Sequence, residues 1–406
     1  MQFERLWSHP RVERARTLLR EHDAETLDEQ MRLAAIEAPS GAERARGEYV
    51  QRRFRELGLT AVGSDEVGNV LGTLARDGGE RGGEAPIVVA AHLDTIFPAG
   101  TEIQVRREGS RISAPGITDN ARGLAAMLGV IRAIREAEIT TERPVLFVAS
   151  VGEEGIGDLL GMKHLFREGA TLRAAPAFIT LDGAGLTRIV HQAIGACRLK
   201  ATISGVGGHS WGDRGVPNPV HALGLAVARL REVVPEGRGD FGVSVGRIGG
   251  GTSVNAIPSE AWIELDLRSD DDATLTELEQ KARSVLEEAV REEKEDANRP
   301  APLALRIEVI GSRPSGATPA DADVVRATIE ATRFVGVGPE LTASSTDANV
   351  PISLGIPSVA IGAGGVGGGV HTNGEWYENE GGVLGTERAL LSLLAIAGVA
   401  DPPQAD

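Results

Sequence analysis

The 406-residue sequence has little cysteine, few aromatic residues and no excess of basic residues. Its single cysteine, Cys197, excludes an intramolecular disulfide and any cysteine-rich zinc site, and we expect a buried, inert thiol. The 42 Lys and Arg residues face 58 Asp and Glu residues, which gives a formal net charge of −16. General binding to nucleic acid or to an anionic membrane needs a basic surface, so this balance disfavours both partners.

Long apolar segments are also missing from the chain. No stretch reaches the roughly 20 apolar residues that span a bilayer. The first residues, MQFERLWSHPRVERAR, are charged from the fourth position and lack the apolar stretch of a secretory signal, so we expect a cytoplasmic location. Apolar residues make up 41% and charged residues 25% of the chain, which is typical of globular proteins. The length favours two domains.

The pattern of apolar runs predicts an α/β domain that is interrupted by a smaller α+β domain. The first sixty residues predict helices, and from Pro86 onward the runs PIVVAA, PVLFVAS and AFITL alternate with a helical pattern, as in a mostly parallel sheet with crossover helices. Around residue 195 the order becomes strand, helix, strand, strand, helix, strand, which predicts helices on one face of an antiparallel, ferredoxin-like sheet. We therefore predict a discontinuous domain over 1–194 and 311–406, with an inserted domain over 195–310.

Imidazole and carboxylate groups stand where a parallel sheet has its active site, just past the strand ends or at a helix start. The candidates are His92 and Asp94 after PIVVAA, Asp119 at the start of a helix, Glu153 and Glu154 after PVLFVAS, Asp182 after AFITL, and His371 after SVAIGA. Taken alone, Asp119 is better explained as a helix N-cap, the two glutamates as a solvated loop pair and His371 as a surface residue. Their coincidence in five such segments favours a metal site.

Histidine and carboxylate ligands suit zinc, cobalt or manganese, and two such ions can share one bridging carboxylate at a separation of about 3.5–4 Å. A pair of ions activates a water molecule and polarises a carbonyl group. A carboxylate beside a ligand can take the proton of that water, so Glu153 is the natural general base if Glu154 binds metal. Asp94 can orient the imidazole of His92.

Eight segments in order resemble one known family over nearly the whole chain: AHLDTIFP, GITDNARG, VGEEGIGD, ITLDGAG, SGVGGHSWG, GGTSVNAIP, LDLRS and HTNGEWY. The set looks like the co-catalytic zinc exopeptidase family that includes carboxypeptidase G, peptidase T, aminoacylase and succinyl-diaminopimelate desuccinylase. The resemblance implies two divalent ions per subunit, with zinc as the expected metal and cobalt or manganese as alternatives. It also implies a bridging role for Asp119. The implied ligands are His92, Asp119, Glu154, Asp182 and His371, with Glu153 as base and Asp94 behind the first histidine.

For the inserted domain the resemblance implies a lid that also forms a homodimer. His209 matches a histidine that reaches the partner subunit's active site and stabilises the carbonyl oxyanion, whereas alone it would be a turn residue among glycines. Asn255 and Arg268 match the pair that holds the substrate's carboxylate, and Arg is suited to that group because its guanidinium donates two parallel hydrogen bonds. One departure is DNARG, where many members carry a second acidic residue and a lysine at the positions of Asn120 and Arg122.

These features predict a homodimeric, metal-dependent exopeptidase of the carboxypeptidase, dipeptidase or tripeptidase type that acts on a small, carboxylate-bearing peptide. GEEGIGD and GGHSWG favour the peptidase T-like or poly(aspartate) hydrolase-like members. An N-acyl amino acid amidohydrolase is the alternative, because it differs only in what flanks the bond. A non-catalytic binding relative is disfavoured by the presence of Glu153 and all five ligands, and a two-metal phosphoesterase by the acidic chain.

Overall fold

The computed structural model describes residues 3–74, 84–237 and 239–400. They divide into two units. One comprises Ile194–Gly316, and the other comprises the described residues of Met1–Ala193 and Ala317–Asp406. The boundaries predicted for the inserted domain are 195 and 310. The larger unit contains both ends of the described chain, because the smaller unit lies between its two parts in the sequence.

A mixed, mainly parallel sheet forms the centre of the larger unit, which confirms the predicted fold class. In spatial order its strands include Thr60–Ser64, Val70–Leu74, Val145–Ser150, Ile87–His92, Phe178–Leu181, Ser358–Ile361 and Arg188–Ala193, and the last also pairs with Glu340–Ser344. Ile87–His92 runs parallel to both of its neighbours, and Ser358–Ile361 runs parallel to Phe178–Leu181. The two strands nearest the N-terminus pair antiparallel.

Helices cover this sheet, and every residue of its central strands Val145–Ser150, Ile87–His92, Phe178–Leu181 and Ser358–Ile361 is buried. The apolar runs therefore form strands that are shielded on both faces, as expected for parallel sheets. The helices of this unit are Phe3–Trp7, Pro10–Glu21, Asp23–Ala34, Arg44–Glu56, Ala121–Glu136, Leu160–Leu165, Asp323–Phe334, Asn349–Ser353 and Gly382–Ala397, with 3₁₀ turns at Gly155–Gly157 and Thr171–Ala174. Within the described ranges, no helix is both long and apolar enough to cross a membrane.

A second, antiparallel sheet of short strands lies in the same unit. Its order is Val366–Gly368, Trp376–Glu378, Arg111–Ser113 and Arg106–Glu108. The pairing of Trp376–Glu378 with Arg111–Ser113 joins the segment after His371 to the segment before Asp119. Two distant parts of the chain that carry candidate ligands are thus held together by backbone hydrogen bonds.

The smaller unit contains a four-stranded antiparallel sheet. Its spatial order is Phe241–Gly250, Glu260–Ser269, Gly195–Gly205 and Leu303–Arg313. The helices Pro219–Leu230 and Asp272–Asp296 pack against each other and on this sheet. Alternate residues of Gly195–Gly205, including Cys197, point into a shared apolar core with the two helices. A two-stranded ribbon, Gly208–His209 with Ala256–Ile257, completes this unit. The short strand Gly316–Ala317, where the chain returns to the larger unit, is an edge strand of the central sheet.

Candidate metal centre

The candidate ligands of the larger unit start from strand ends that lie side by side. His92 is the last residue of Ile87–His92, and Asp182 directly follows the neighbouring strand Phe178–Leu181. Glu154 follows Val145–Ser150, the neighbour on the other side. Because these strands are parallel, their carboxyl ends meet at one edge of the sheet, where ligands bind in α/β proteins.

Asp119 lies at the centre of the cluster. Its Oδ1 is 2.9 Å from Nε2 of His92, and its Oδ2 is 3.2 Å from Nε2 of His371. His92 Nε2 also lies 3.7 Å from Oδ1 of Asp182, and His371 Nε2 lies 3.0 Å from Oε1 of Glu154. One carboxylate therefore presents a separate oxygen to each of two groups, which is the arrangement that a bridging ligand requires.

The donor set fits divalent ions. His92, Asp119 and Glu154 each offer one ligand atom, and these atoms all lie within 4.8 Å of one another. Oδ1 of Asp119 is buried and has no aligned hydrogen-bond partner among the described residues, although an imidazole nitrogen is close to it. Imidazole and carboxylate groups that converge in this way suit zinc, cobalt or manganese.

The charges of the cluster are strongly coupled. Burial favours the neutral acid of Asp119, but the close imidazoles of His371 and His92 outweigh it and hold the pKa of Asp119 well below its usual range. The same contacts with Asp119 and Glu154 raise the pKa of His371 to about 10. Burial raises the pKa of the Glu154 carboxyl. Burial lowers the pKa of His92, but its contacts with Asp119, Asp182 and Asp94 outweigh burial and raise that pKa well above its usual value. Bound metal ions would replace the protons that the carboxylates favour on the two histidines.

Asp94 supports two parts of the centre. Nδ1 of His92 lies 3.1 Å from the Asp94 carbonyl oxygen and 3.4 Å from its carboxylate Oδ1. The Asp94 carboxylate also accepts hydrogen bonds from the backbone N–H groups of Glu153 and Glu154, both at 2.9 Å, and from Oγ of Ser40 at 2.6 Å. Besides facing His92, Asp94 therefore fixes the backbone of the two glutamates.

Two of the single-residue alternatives do not match the structure. Glu153 and Glu154 are both buried, at 5% and 6% exposure, so they are not a solvated loop pair. The N-cap of Ala121–Glu136 is Asn120, whose side chain accepts a hydrogen bond from Gly123 N, so Asp119 is free of that role. His371 is half-exposed and has a left-handed backbone, with φ of 66°. Its imidazole nevertheless contacts the half-buried carboxylate of Asp119 and the buried carboxylate of Glu154.

The departure at Asn120 has a structural reason. Its Nδ2 donates to the Leu181 carbonyl at 2.9 Å, and its Oδ1 accepts from Gly183 N at 3.2 Å. These two backbone groups flank Asp182. An ionised aspartate could not donate the first of these bonds, because a carboxylate only accepts. The neutral amide thus links the segment of Asp119 to the segment of Asp182.

Glu375 is a supporting residue that the sequence did not single out. It is fully buried, and its carboxylate accepts hydrogen bonds from the backbone N–H groups of Gly116 at 3.0 Å, Thr118 at 2.8 Å and Asp119 at 2.9 Å. Burial raises its pKa. Because Glu375 follows His371 by four residues, it ties the segment of one candidate ligand to the backbone of another. Its position inside HTNGEWY was the available signal.

Two further buried ionisable residues, Asp347 and Arg46, belong to none of the motifs identified in the sequence. Asp347, at 1% exposure, accepts a hydrogen bond from Ser150 Oγ at 2.5 Å, and burial raises its pKa to about 6. Arg46 is completely buried and donates to the Leu93 carbonyl at 2.7 Å and to the Ile36 carbonyl. Leu93 lies between His92 and Asp94. Arg46 therefore supports the backbone turn that carries both of them.

The smaller unit brings two of its three candidate residues together. His209 pairs with Ala256 in the ribbon, and the N–H of Ser210 donates to the Asn255 carbonyl at 3.0 Å. Arg268 lies near the far end of Glu260–Ser269, where it donates to Asp266 at 2.7 Å. The eight residue steps from Glu260 to Arg268 along this extended strand span roughly 26 Å. The Arg268 side chain is thus remote from His209 and Asn255 of the same chain.

Comparison with known proteins places the chain in a family. Residues 88–395 match the family model described as peptidase family M20/M25/M40. The chain belongs to this family. Among its relatives, carboxypeptidase G2 from Pseudomonas sp. (strain RS-16) is 24% identical over 253 residues, which cover 59% of each chain. Succinyl-diaminopimelate desuccinylase from Corynebacterium glutamicum is 27% identical over 243 residues, which cover 58% of this chain and 64% of the relative.

The matches to these two M20 relatives thus span less than two thirds of their lengths. Among solved structures, a tripeptidase from Staphylococcus aureus subsp. aureus Mu50 aligns with a TM-score of 0.75 and 23% identity, over 92% of this chain and 98% of the other. At this identity the likeness shows the fold. The family and the fold are established in this way.

Proposed function

We propose that this M20 protein is a metal-dependent hydrolase that cleaves a peptide or amide bond at the end of a small, carboxylate-bearing substrate. The observation that carries the proposal is the position of Asp119, whose two oxygens face His92 with Asp182 on one side and His371 with Glu154 on the other. A second ion needs such a shared carboxylate. Zinc is the metal we propose, with cobalt or manganese as alternatives.

Two divalent ions, when bound, would activate a water molecule and polarise the scissile carbonyl. His92, Asp119, Glu154, Asp182 and His371 would hold them. Glu153 is the proposed general base, which takes the proton of the water and delivers it to the leaving amine. The hydrogen bonds from the Glu153 and Glu154 amides to Asp94 support this role, because they fix the segment that carries the base.

The smaller unit supplies the proposed substrate contacts. His209 would donate a hydrogen bond to the carbonyl oxygen, and Asn255 with Arg268 would hold the substrate's carboxylate. Because Arg268 is remote from Asn255 within one chain, the two residues cannot both reach one carboxylate from the same subunit. That separation supports a homodimer through the inserted domain, in which each substrate meets residues of two chains.

An N-acyl amino acid amidohydrolase is the second candidate, and it is favoured by the likeness to a desuccinylase. Both reactions cleave an amide with the same centre and differ in the group on the acyl side. The test is to incubate zinc-loaded or cobalt-loaded protein with dipeptides, tripeptides, aspartate oligomers, N-acyl amino acids and one phosphoester, each amide also with its carboxylate blocked. We expect metal-dependent cleavage of the amides with a free carboxylate. Turnover of the phosphoester alone would contradict the proposal.

A further inference from the structure

The turn that carries His209 constrains the imidazole ring. Nδ1 of His209 lies 3.1 Å from the backbone N of Trp211 and 3.2 Å from that of Gly212, and both N–H groups donate to it. A backbone N–H can only donate, so Nδ1 must be the acceptor. In the neutral ring the single proton is then on Nε2, because one nitrogen donates when the other accepts.

We propose that this turn fixes His209 in the Nε2–H tautomer and that Asp213 is the positioning residue that closes it. The tautomer follows from the turn alone, whereas its use on a substrate carbonyl rests on the proposed function. Asp213 lies outside the residues matched to the family's site. It acts through the backbone of His209.

Asp213 holds the turn from both sides. Its Oδ2 accepts a hydrogen bond from the His209 backbone N–H at 2.8 Å, while its own N–H donates to the His209 carbonyl at 2.9 Å. Its Oδ1 lies 3.6 Å from Nη1 of Arg299, which also donates to the Gly212 carbonyl at 3.2 Å. The two amides that meet Nδ1 are therefore part of a loop that Asp213 and Arg299 close together.

A glycine makes room for this carboxylate. A Cβ at Gly208 would lie 2.7 Å from Oδ2 of Asp213, and Gly208 has φ of 149°. A side chain at this position would push the carboxylate away from the His209 N–H. The glycine before His209 in SGVGGHSWG is thus explained by the close approach of Asp213.

The tautomer decides what His209 can do. With Nδ1 occupied by two amides, Nε2–H is the free edge of the ring, and it donates a hydrogen bond. A neutral donor of this kind matches an oxygen that gains negative charge in the transition state. The turn thus pre-orients the donor in the chain itself, and no rearrangement of the ring is needed when the substrate arrives.

Nitrogen-15 NMR of the imidazole rings tests the tautomer of His209 without a measurement of enzyme activity. The intact protein is labelled at histidine, and the His209 signals are assigned by their loss in His209→Gln. At mildly alkaline pH we expect pyrrole-type shifts for Nε2 and pyridine-type shifts for Nδ1. Asp213→Asn should move both signals towards the averaged shifts of a mixture, whereas the matched control Glu288→Gln, on an exposed helix surface, should leave them unchanged. Mixed or Nδ1–H shifts in the wild type would overturn the proposal.

Activity provides the second readout. Asp213→Asn should lower kcat by about 10–100-fold, the usual cost of removing a residue that orients a functional group. In a His209→Ala background the same change should cost nothing further, because the two residues act as one unit. A purely structural Asp213 would lower activity in both backgrounds and would contradict the proposal.

A second variant covers the case in which Asp213→Asn does not fold. Arg299→Met removes the ion pair from a half-exposed position and should shift the tautomer in the same direction by a smaller amount. Unchanged His209 shifts in every folded variant would overturn the role of Asp213. If the wild type has the Nε2–H tautomer but cleaves no amide, the proposed function fails while the positioning inference stands.

Discussion

The two units of this chain hold their candidate functional residues by different means. In the larger unit the candidate metal ligands come from five segments and are held by buried groups, with Asp94 on the glutamate backbone and Glu375 on the backbone of Asp119. In the smaller unit His209 and Asn255 are exposed, and the restraint on His209 is a local turn closed by Asp213.

This difference shows which part of the chemistry one unit can assemble by itself. A metal centre needs several ligands placed to a fraction of an ångström. Hydrogen bonds from buried neighbouring residues to the ligands and their backbone supply that accuracy. A residue that meets the substrate only needs a fixed orientation and an open approach. We therefore propose that the larger unit holds the metal ions with its own side chains, whereas the candidate residues of the smaller unit are single, exposed groups.

The largest expected effect separates the two buried glutamates. Glu154→Ala should lose both bound metal and activity, because a ligand is removed. Glu153→Ala should keep most of its metal while its rate falls by about 10²–10⁴-fold, the usual scale for general acid–base catalysis. Metal content by elemental analysis, measured beside kcat, distinguishes the two. The reverse pattern of metal contents would show that the roles are exchanged.

The next prediction concerns the exposed residues. Removing the His209 donor should lower kcat by about 10²–10³-fold. His209→Ala and Glu153→Ala are then refolded together and assayed. If His209 serves the neighbouring chain, about half of the dimers are mixed and each has one complete site of two, so activity should return to about a quarter of wild type.

Wild-type protein refolded in the same way is the control for that mixture. An active control beside an inactive mixture would mean that His209 acts within its own chain or has no catalytic role. The exposure of His209 would then need an explanation other than a role in the neighbouring subunit's active site.

A smaller effect is expected from weakening the support of the metal centre. Glu375→Gln replaces one of the oxygens that accept from Gly116, Thr118 and Asp119 by an NH₂ group that cannot accept. Metal affinity, measured by calorimetric titration, should fall by about 10–100-fold, and excess metal should restore activity. The matched control, the exposed Glu380→Gln, should behave as wild type. Equal affinities for both variants would refute the supporting role.

The smallest effect is a pH dependence of the metal-free protein. His371 has a pKa near 6.5 in the unfolded chain, and Asp119 and Glu154 raise it to about 10 in the folded one. Its protonation therefore stabilises the metal-free protein fully below about pH 6.5, and this contribution disappears as the pH rises through 10. Since His371 is half-exposed, the change should be modest.

Thermal unfolding between pH 6 and 10 measures this change. The metal-free wild type should lose stability relative to His371→Gln over that range, while the metal-loaded wild type should not, because the ion has replaced the proton. Parallel pH profiles for the metal-free wild type and the variant would contradict the predicted role of His371 in the charge balance.

Much of the fold could be predicted because the central strands are apolar along their whole length. PIVVAA, PVLFVAS, AFITL and SVAIGA all form parallel strands, and their ends locate His92, Glu154 and Asp182. The strand Glu340–Ser344 was missed, since its residues are partly exposed and show no apolar run. The glycine-rich strand Val366–Gly368 was not predicted either, because its side chains show no strand pattern. It is a strand only through its backbone pairing with Trp376–Glu378.

The supporting residues were less accessible to sequence reasoning. Glu375 acts on amides up to 259 residues earlier in the chain, so only the folded structure brings the partners together. Asp347 belongs to no motif of the sequence, and only its burial in the folded structure raises its pKa. Taken alone, Asp119 was better explained as the N-cap, but the structure assigns the N-cap to Asn120, and Asp119 faces the histidines.

The most direct test is to count metal ions. If Asp119 bridges two ions, each of its two carboxylate oxygens contacts one of them. Metal-free wild type and Asp119→Asn are therefore titrated with zinc, and bound metal and amide hydrolysis are measured together. We predict two ions per chain for the wild type, with full activity only when both are bound, and loss of paired binding in the variant. Full activity with one ion per chain, or two ions retained by Asp119→Asn, would contradict the bridging role of Asp119.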